Sequence, residues 1–340
     1  MVQALATDYD IDVYSQHPAN ADFAPQGFCF VSAPGYLKLG LVKWWWIILH
    51  FWQNHRKSKY RLAYAFWAHP AGVWGAVAKT ISGVPLLIHL QGGEVVSIPA
   101  IGYGALRNPV KKKIITWALH RADAVVALTE YQKRLAQHLA DVPYEIVPFG
   151  VDPSKFVYHH KRLQGVRKFL HVGSLIPVKD QLTLLHCFAL YQQKKQAHLT
   201  IVGEGYLEGY LRQVCSELKI SDMVSFAGFH RHTELDKFYA EADILLHTSL
   251  YEGQCLAVAE AFASGVLVAG TKVGLIADMG EKSCLTVDIG DAKKLAEQLL
   301  LLTDETYQTK VHEAKRWSEA NTFCKEVEKI RSLIDSTATD

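Results

Sequence analysis

The chain has 340 residues, of which 49% are hydrophobic and 21% charged, a composition that supports a sizeable core and excludes a disordered chain. Its length is enough for two domains of ordinary size, and a net charge of +2 argues against a dedicated nucleic-acid binder. The charge is uneven: residues 1–150 hold 14 Lys+Arg against 9 Asp+Glu (net +5) and the remainder 22 against 25 (net −3), so an anionic partner such as a membrane surface is expected on the first half. Six cysteines, at 29, 187, 215, 255, 284 and 324, show no C-x-x-C pair or zinc spacing and read as free thiols of a reducing cytoplasm. The opening MVQALATDYDID turns acidic before a signal-peptide core could form, and no apolar run approaches the ~20 residues of a membrane span.

In chain order, short apolar runs predict strands at 11–15, 28–32, 62–67, 85–91, 124–128 and 145–149. A second set is expected near 169–173, 199–203, 224–227, 244–247, 266–269 and 284–287. Continuous apolar strands separated by helical patterns predict parallel sheets covered on both faces, hence an α/β chain of two doubly wound, Rossmann-like domains. The Pro148–Pro153 linker divides them, giving a first domain over 1–152, a second over 153–306, and a polar helical segment over 307–340. Within the first, residues 38–61 are rich in Trp and flanked by Lys and Arg. Two readings stand for that stretch: a helix lying on anionic lipid, or a helix packed on the first sheet.

The stretch His247–Gly270, HTSLYEGQCLAVAEAFASGVLVAG, carries the most chemistry. It reads as a strand end, a turn at Tyr251-Glu252-Gly253 that Gly253 allows to be tight, a helix from about Cys255 to Ser264, and a left-handed cap at Gly265. The free N–H groups at the helix start, at Cys255 and Leu256, favour a phosphate. Glu252 lies just before them, and Glu260 lies about 7 Å further along the axis. Carboxylates repel phosphate but accept paired hydroxyls, so a diphosphate flanked by a hexose and a ribose, a nucleotide sugar, suits all three features.

This segment resembles the glutamate-x7-glutamate donor motif of the family-four (group 1) glycosyltransferases, which have the two-Rossmann-domain GT-B architecture facing a cleft. The resemblance extends over roughly Phe169 to Asp304 and, less closely, over Ala63 to Phe156. It implies that Glu260 holds the ribose hydroxyls, Glu252 contacts the donor sugar, and the Cys255-Leu256 amides bind the diphosphate. Lys179, near a helix start, would meet the charge of the departing diphosphate. Ser174 stands where the family carries an arginine. The loops with Gly203 and Glu204 and with Phe229 would border the nucleobase, although Gly203 reads equally as a plain turn glycine. His69, Gln91, Gly92, Gly93 and Glu94 would lie on the acceptor side. Gln91 replaces the family's histidine before the glycine, and since glutamine is no base, Glu94 or His69 is the expected substitute. The family opens with a strand and a Gly-Gly loop; here Met1–Thr7 runs straight into the strand usually counted second, so the first domain is expected to lack its first strand.

The resulting expectation is a cytoplasmic hexosyltransferase, peripheral on the inner face of a membrane if 38–61 takes the first of its two readings. It moves a hexose to a hydroxyl of a glycan or lipid-linked sugar, in polysaccharide or glycolipid assembly. The resemblance implies retention at the anomeric carbon and no metal or other cofactor. Asp8-Tyr9-Asp10 has the form of a metal-binding aspartate-x-aspartate pair but precedes a strand instead of following one, and is set aside. The alternatives are a nucleotide-sugar epimerase of the same architecture and a non-catalytic subunit that binds sugar nucleotide or membrane.

Overall fold

Strands with no polar alternation must be covered on both faces, and five of this chain's strands are buried at every residue. The computed structural model describes residues 1–18, 24–37 and 40–338. The first part contains α1 (Val2–Leu5), β1 (Asp12–Ser15), β2 (Cys29–Ser32), α2 (Gly40–Ser58), β3 (Ala63–Phe66), α3 (Val73–Ser82), β4 (Leu86–His89), α4 (Pro109–Arg121), β5 (Ala124–Ala127), α5 (Glu130–Gln137) and β6 (Tyr144–Ile146). The second contains β7 (Arg167–Val172), α6 (Gln181–Gln192), β8 (Ala197–Val202), α7 (Glu208–Glu217), β9 (Val224–Gly228), α8 (Asp236–Glu241) and β10 (Ile244–His247). It continues through α9 (Leu256–Ser264), β11 (Leu267–Thr271), α10 (Gly274–Ser283), β12 (Cys284–Val287), α11 (Ala292–Leu301), α12 (Asp304–Ala320) and α13 (Phe323–Thr337). Each of the twelve expected strands is present. Lys38 and Leu39, the first residues of the tryptophan-rich stretch, lie outside the described residues.

The second domain is one parallel six-stranded sheet in the order β12-β11-β10-β7-β8-β9. The chain starts in the middle at β7, moves outward through β8 and β9, then returns to the other side of β7 at β10. Between β7 and β10 the strand order reverses, and the loops leaving their carboxyl ends diverge to leave a crevice. That topology brings the β7–α6 loop beside the β10–α9 loop.

The first domain departs from the expected single set of six strands. β3-β4-β5-β6 form a parallel sheet, while β1 and β2 pair only with each other among the described residues, in the register Asp12↔Cys29. Side chains, not a ladder, join the two: Phe51 of α2 packs with Ala78, Val84, Tyr14 and Tyr60. One face of the four-stranded sheet is covered by α3, α4 and α5 through Val73, Ala76, Ile115, Leu119 and Ala136.

The other face meets α13. The polar helical segment expected over 307–340 is two helices, α12 and α13. Tyr307, Val311 and Ala314 of α12 are buried in the second domain, and the chain breaks at Asn321, where φ −129 and ψ 61 end the helix. Only α13 crosses, placing Val327 and Ile330 against Leu5, Val126 and Val147. At the crossing, Val151 and Thr322 form a parallel bridge, so the two chain segments that link the domains run side by side. Ile330→Ala, at a position with no exposure, should cost about 2–5 kcal/mol through the cavity it leaves. A lowered urea midpoint with earlier proteolysis of α13 is the expected result, and an unchanged midpoint would mean α13 docks without this contact.

Candidate active site

α9 is buried along Ala257–Ser264 because, Glu260 and Ser264 apart, it is apolar and lies between the sheet and α12. It starts at Leu256, has no side-chain cap at Cys255 (φ 80, ψ 99), and ends at Gly265 (φ 74). Its first N–H groups therefore carry the partial positive charge of the helix start without a side-chain acceptor. Leu256 is half exposed at that end.

Glu252 stands immediately before it, at the switch point. Its Oε1 receives Lys179 Nζ at 2.6 Å and the Ser249 hydroxyl at 2.7 Å, with His247 Nε2 at 2.9 Å. Lys179 arrives from the β7–α6 loop, 73 residues away in sequence, on a short turn that leads into the Asp180 cap of α6. Burial alone would raise the Glu252 carboxyl, but the Lys179 ammonium and His247 hold it well below the usual carboxylate range. Burial likewise opposes charge on His247 and on Lys179. The Cys255 thiol, whose Sγ lies 3.8 Å from Nδ1, and Glu252 nevertheless raise His247 to about 9, and Glu252 raises Lys179. His171, behind His247, is pushed down to about 3 by burial and by that neighbour, and donates or accepts only locally, to Leu246 O and Gln181. His247, Glu252 and Cys255 bring ligand-type atoms within 4.8 Å of one another, but the cation already seated on Glu252 is Lys179.

Glu260, buried on α9, accepts the Tyr239 hydroxyl on Oε2 at 2.7 Å and has His232 Nε2 2.8 Å from Oε1. His232 belongs to the β9–α8 loop, which also carries the exposed Phe229. Glu204 is exposed after β8, and its carbonyl accepts Leu175 N–H. Gly203 is more than a turn glycine: at φ 138, a Cβ there would meet Gly173 O at 2.1 Å, so this loop lies directly on the loop carrying Ser174. Ser174 contributes its carbonyl to Gln181 Nε2.

The facing domain closes on this site. Tyr251 donates its hydroxyl to Gly92 O at 2.7 Å, and Thr129 donates to Gly253 O at 2.7 Å. A Cβ on Gly253 would come within 2.9 Å of both Gln91 O and Gln132, so this glycine serves the approach of the domains, not the tightness of its turn. Gln254 pairs its side-chain amide with both backbone groups of Phe149, and Asp278 of α10 accepts Glu130 and Tyr131 N–H at the start of α5.

On the first-domain side lies Glu94, one of the two residues expected as a base. Its two oxygens accept Gln91 and Gly92 N–H, each at 2.7 Å, in a buried position. Glu94 shapes the Gln91-Gly92-Gly93 loop. His69 is half-buried beside Trp44, with its pKa lowered by burial and by Lys111. His89 is fully buried with Nδ1 on the Tyr64 hydroxyl. Sequence reasoning missed Tyr103, whose ring lies against Gly93 and 6.1 Å from that of Tyr251. It also missed Ser249 and Asp278, which carry no motif.

His247 makes the site pH-dependent. Between about 6.5 and about 9 the folded chain keeps a proton that the unfolded chain has lost, so this contribution to stability falls as pH rises through that window. Glu252 acts in the opposite sense: its contribution is present above the ordinary 4.5 and is lost on acidification. His247→Gln should flatten the decline of the urea midpoint between pH ~6.5 and ~9; an unchanged slope would mean the imidazole is neutral in the fold.

Both halves of the chain are similar to known glycosyltransferases. Residues 1–155 match the model of "Glycosyltransferase Family 4" and residues 159–322 that of "Glycosyl transferases group 1". The N-acetyl-alpha-D-glucosaminyl L-malate synthase of Bacillus anthracis is 23% identical over 82% of this chain and 74% of its own length. The MMP alpha-(1->4)-mannosyltransferase of Mycolicibacterium hassiacum is 29% identical over 39% of this chain, a match that spans about a third (32%) of that relative. Among solved structures, the sucrose-phosphate synthase of Thermosynechococcus elongatus has a TM-score of 0.81 at 19% identity, covering 98% of this chain and 90% of that one. HepE of Anabaena, solved with UDP and glucose, has a TM-score of 0.72 at 19% identity, covering 91% and 86%. With both halves matched and the GT-B fold shared, the chain belongs to the group 1, family 4 glycosyltransferases.

Proposed function

We propose that this chain transfers a hexose from a nucleoside diphosphate sugar to a hydroxyl of a glycan or lipid-linked sugar, with retention and without a metal ion. The observation that carries the reading is the buried Lys179–Glu252 pair at the switch point, beside the uncapped start of α9, with Glu260 further along the same helix. In the transition state the diphosphate gains negative charge as the anomeric bond breaks. Lys179 and the α9 amides are preorganised to meet that charge in a site shielded from water. Glu260 is oriented by Tyr239 to accept ribose hydroxyls, taking the place that His232 holds without ligand. Glu252, kept ionised by its neighbours, accepts from a hydroxyl of the donor sugar. Lys179 also fills the electrostatic role that a divalent cation would take on the diphosphate. The UDP and glucose bound by HepE, and the glycosyl transfers named for the relatives, support a nucleotide-sugar donor. Retention rests on the family resemblance.

Thermal denaturation against nucleoside diphosphates and their sugars tests the donor site. A concentration-dependent rise in Tm is expected for one base, corresponding to about 2.7 kcal/mol at a hundred times Kd, and Glu260→Ala should abolish it. No rise with any nucleotide would refute the donor assignment. Lys179→Ala should lower turnover by about 10²–10³-fold and also lower the Tm, because Glu252 loses its buried partner, so turnover is compared below that Tm; EDTA should leave the rate unchanged, and the product anomer should match the donor's. Conversion of the sugar nucleotide without acceptor would point to an epimerase, and binding without any turnover to a non-catalytic subunit.

A further inference from the structure

α2 is apolar on two sides, and the core accounts for only one of them. Ile47 and Phe51 are buried, and Trp44 turns inward against Trp74 and His69. Val42, Trp45, Leu49 and Trp52 are 43%, 71%, 49% and 38% exposed. These four recur at intervals of three or four, so they form one outward stripe about 15 Å long. Packing on the first sheet explains the inner face and leaves two exposed tryptophans without a reason.

The surroundings of the stripe say what covers it. Residues 23–122 contain 12 Lys+Arg and one Asp+Glu, a net +11 over a hundred residues. The single acid is Glu94, which is buried. Arg56 lies over the Trp52 ring at 4.8 Å, and Lys57 and Lys59 are exposed at the end of α2. α3 packs between α2 and α4. α4 presents Lys111, Lys112 and Lys113 to solvent, with Val110 and Trp117 also exposed. Aromatic and aliphatic side chains framed by cations, with the nearby Asp123 after α4 paired to Lys79, complement an interface of anionic headgroups over acyl chains. A second copy of this chain would bring an equally positive face against the first. No described helix is long and apolar enough to cross a membrane, so α2 would lie on the surface.

We propose that α2 and α4 dock the first domain on an anionic bilayer, with Val42, Trp45, Leu49 and Trp52 inserted and the basic side chains at headgroup level. This deepens the transferase reading and rests on it for one link. Trp44, on the inner side of the same helix, touches His69 on the expected acceptor side, so the bilayer would lie beside the place where a lipid-linked acceptor arrives.

Flotation with vesicles of phosphatidylcholine alone, or of equal parts phosphatidylcholine and phosphatidylglycerol, tests the proposal on the full chain. Binding is expected only to the anionic vesicles and should weaken in high salt. The combined variant Trp45→Ser, Leu49→Ser, Trp52→Ser should reduce binding by about tenfold or more, as should Lys111→Glu, Lys112→Glu, Lys113→Glu. All six side chains are exposed or partly so, and a retained nucleotide-dependent rise in Tm would show each variant folded; Trp45→Ser alone provides a milder second test. Equal binding to neutral vesicles, no binding to anionic ones, or unchanged binding by the variants would overturn the docking surface. So would a dimer in sedimentation velocity that the serine variant dissolves. Vesicle binding without a nucleotide shift would leave this surface standing and remove the donor site; the reverse result would do the opposite.

Discussion

The arrangement depends on a cation and a carboxylate held together out of water. Lys179 and Glu252 come from loops that are distant in sequence and meet only because β7 and β10 are neighbours across the point where the strand order reverses. Removing either charge would strand the other in a buried site, a costly outcome for any fold. The pair has reinforcements. Ser249 and His247 also converge on Glu252, and His171 behind them stays neutral, so the cluster holds its charges without a further buried cation. An ion cluster so confined beside an uncapped helix start is poised to receive an anion. The ligand's phosphate charge would fall on Lys179 and the α9 amides, while Glu252 remains as the acceptor for hydroxyls.

That cluster is functional only if the opposite domain approaches it, and the contacts made across the cleft are specific. Thr129, Tyr251 and Gln254 each bond to backbone of the other domain or of the linker. Asp278 supplies a carboxylate to the start of α5, where a negative charge is favoured by the helix dipole. These bonds are polar, as is common for contacts between domains of one chain. The covalent links, at Val151 and Thr322, run side by side, so both passages of the chain between the domains lie at one place.

Much of this was legible in the sequence because it depends on local pattern. Twelve apolar runs became twelve strands, and α9 began and ended where Cys255 and Gly265 placed it. Lys179 and Glu252 meet because their loops leave the carboxyl ends of neighbouring strands, and Glu260 lies further along α9. What was not legible depends on partners far along the chain. The division of the first sheet is set by which edges pair, and the break between α12 and α13 is set by where each helix finds a core. Gly253 was read as a turn glycine because contact with Gln91 and Gln132 leaves no local mark. Composition likewise cannot show that both oxygens of Glu94 accept Gln91 and Gly92 amides.

Glu94 also clarifies how charge is distributed over the first domain. A carboxylate on the surface of residues 23–122 would dilute the field of a dozen cations; buried beneath the Gln91-Gly92 loop, it gives structure to the acceptor side and little potential to the outside. Lys179, by contrast, is largely offset by Glu252 in the absence of ligand and contributes little at long range. Attraction over distance therefore falls to the exposed cations of α2 and α4, and chemistry at short range to the second domain. The two tasks fall on opposite sides of the cleft, which lets the chain carry a strongly basic face without placing unpaired charge in its catalytic crevice. The near-zero net charge of the whole chain conceals this polarity, and only the placement of the helices relative to the sheets reveals it.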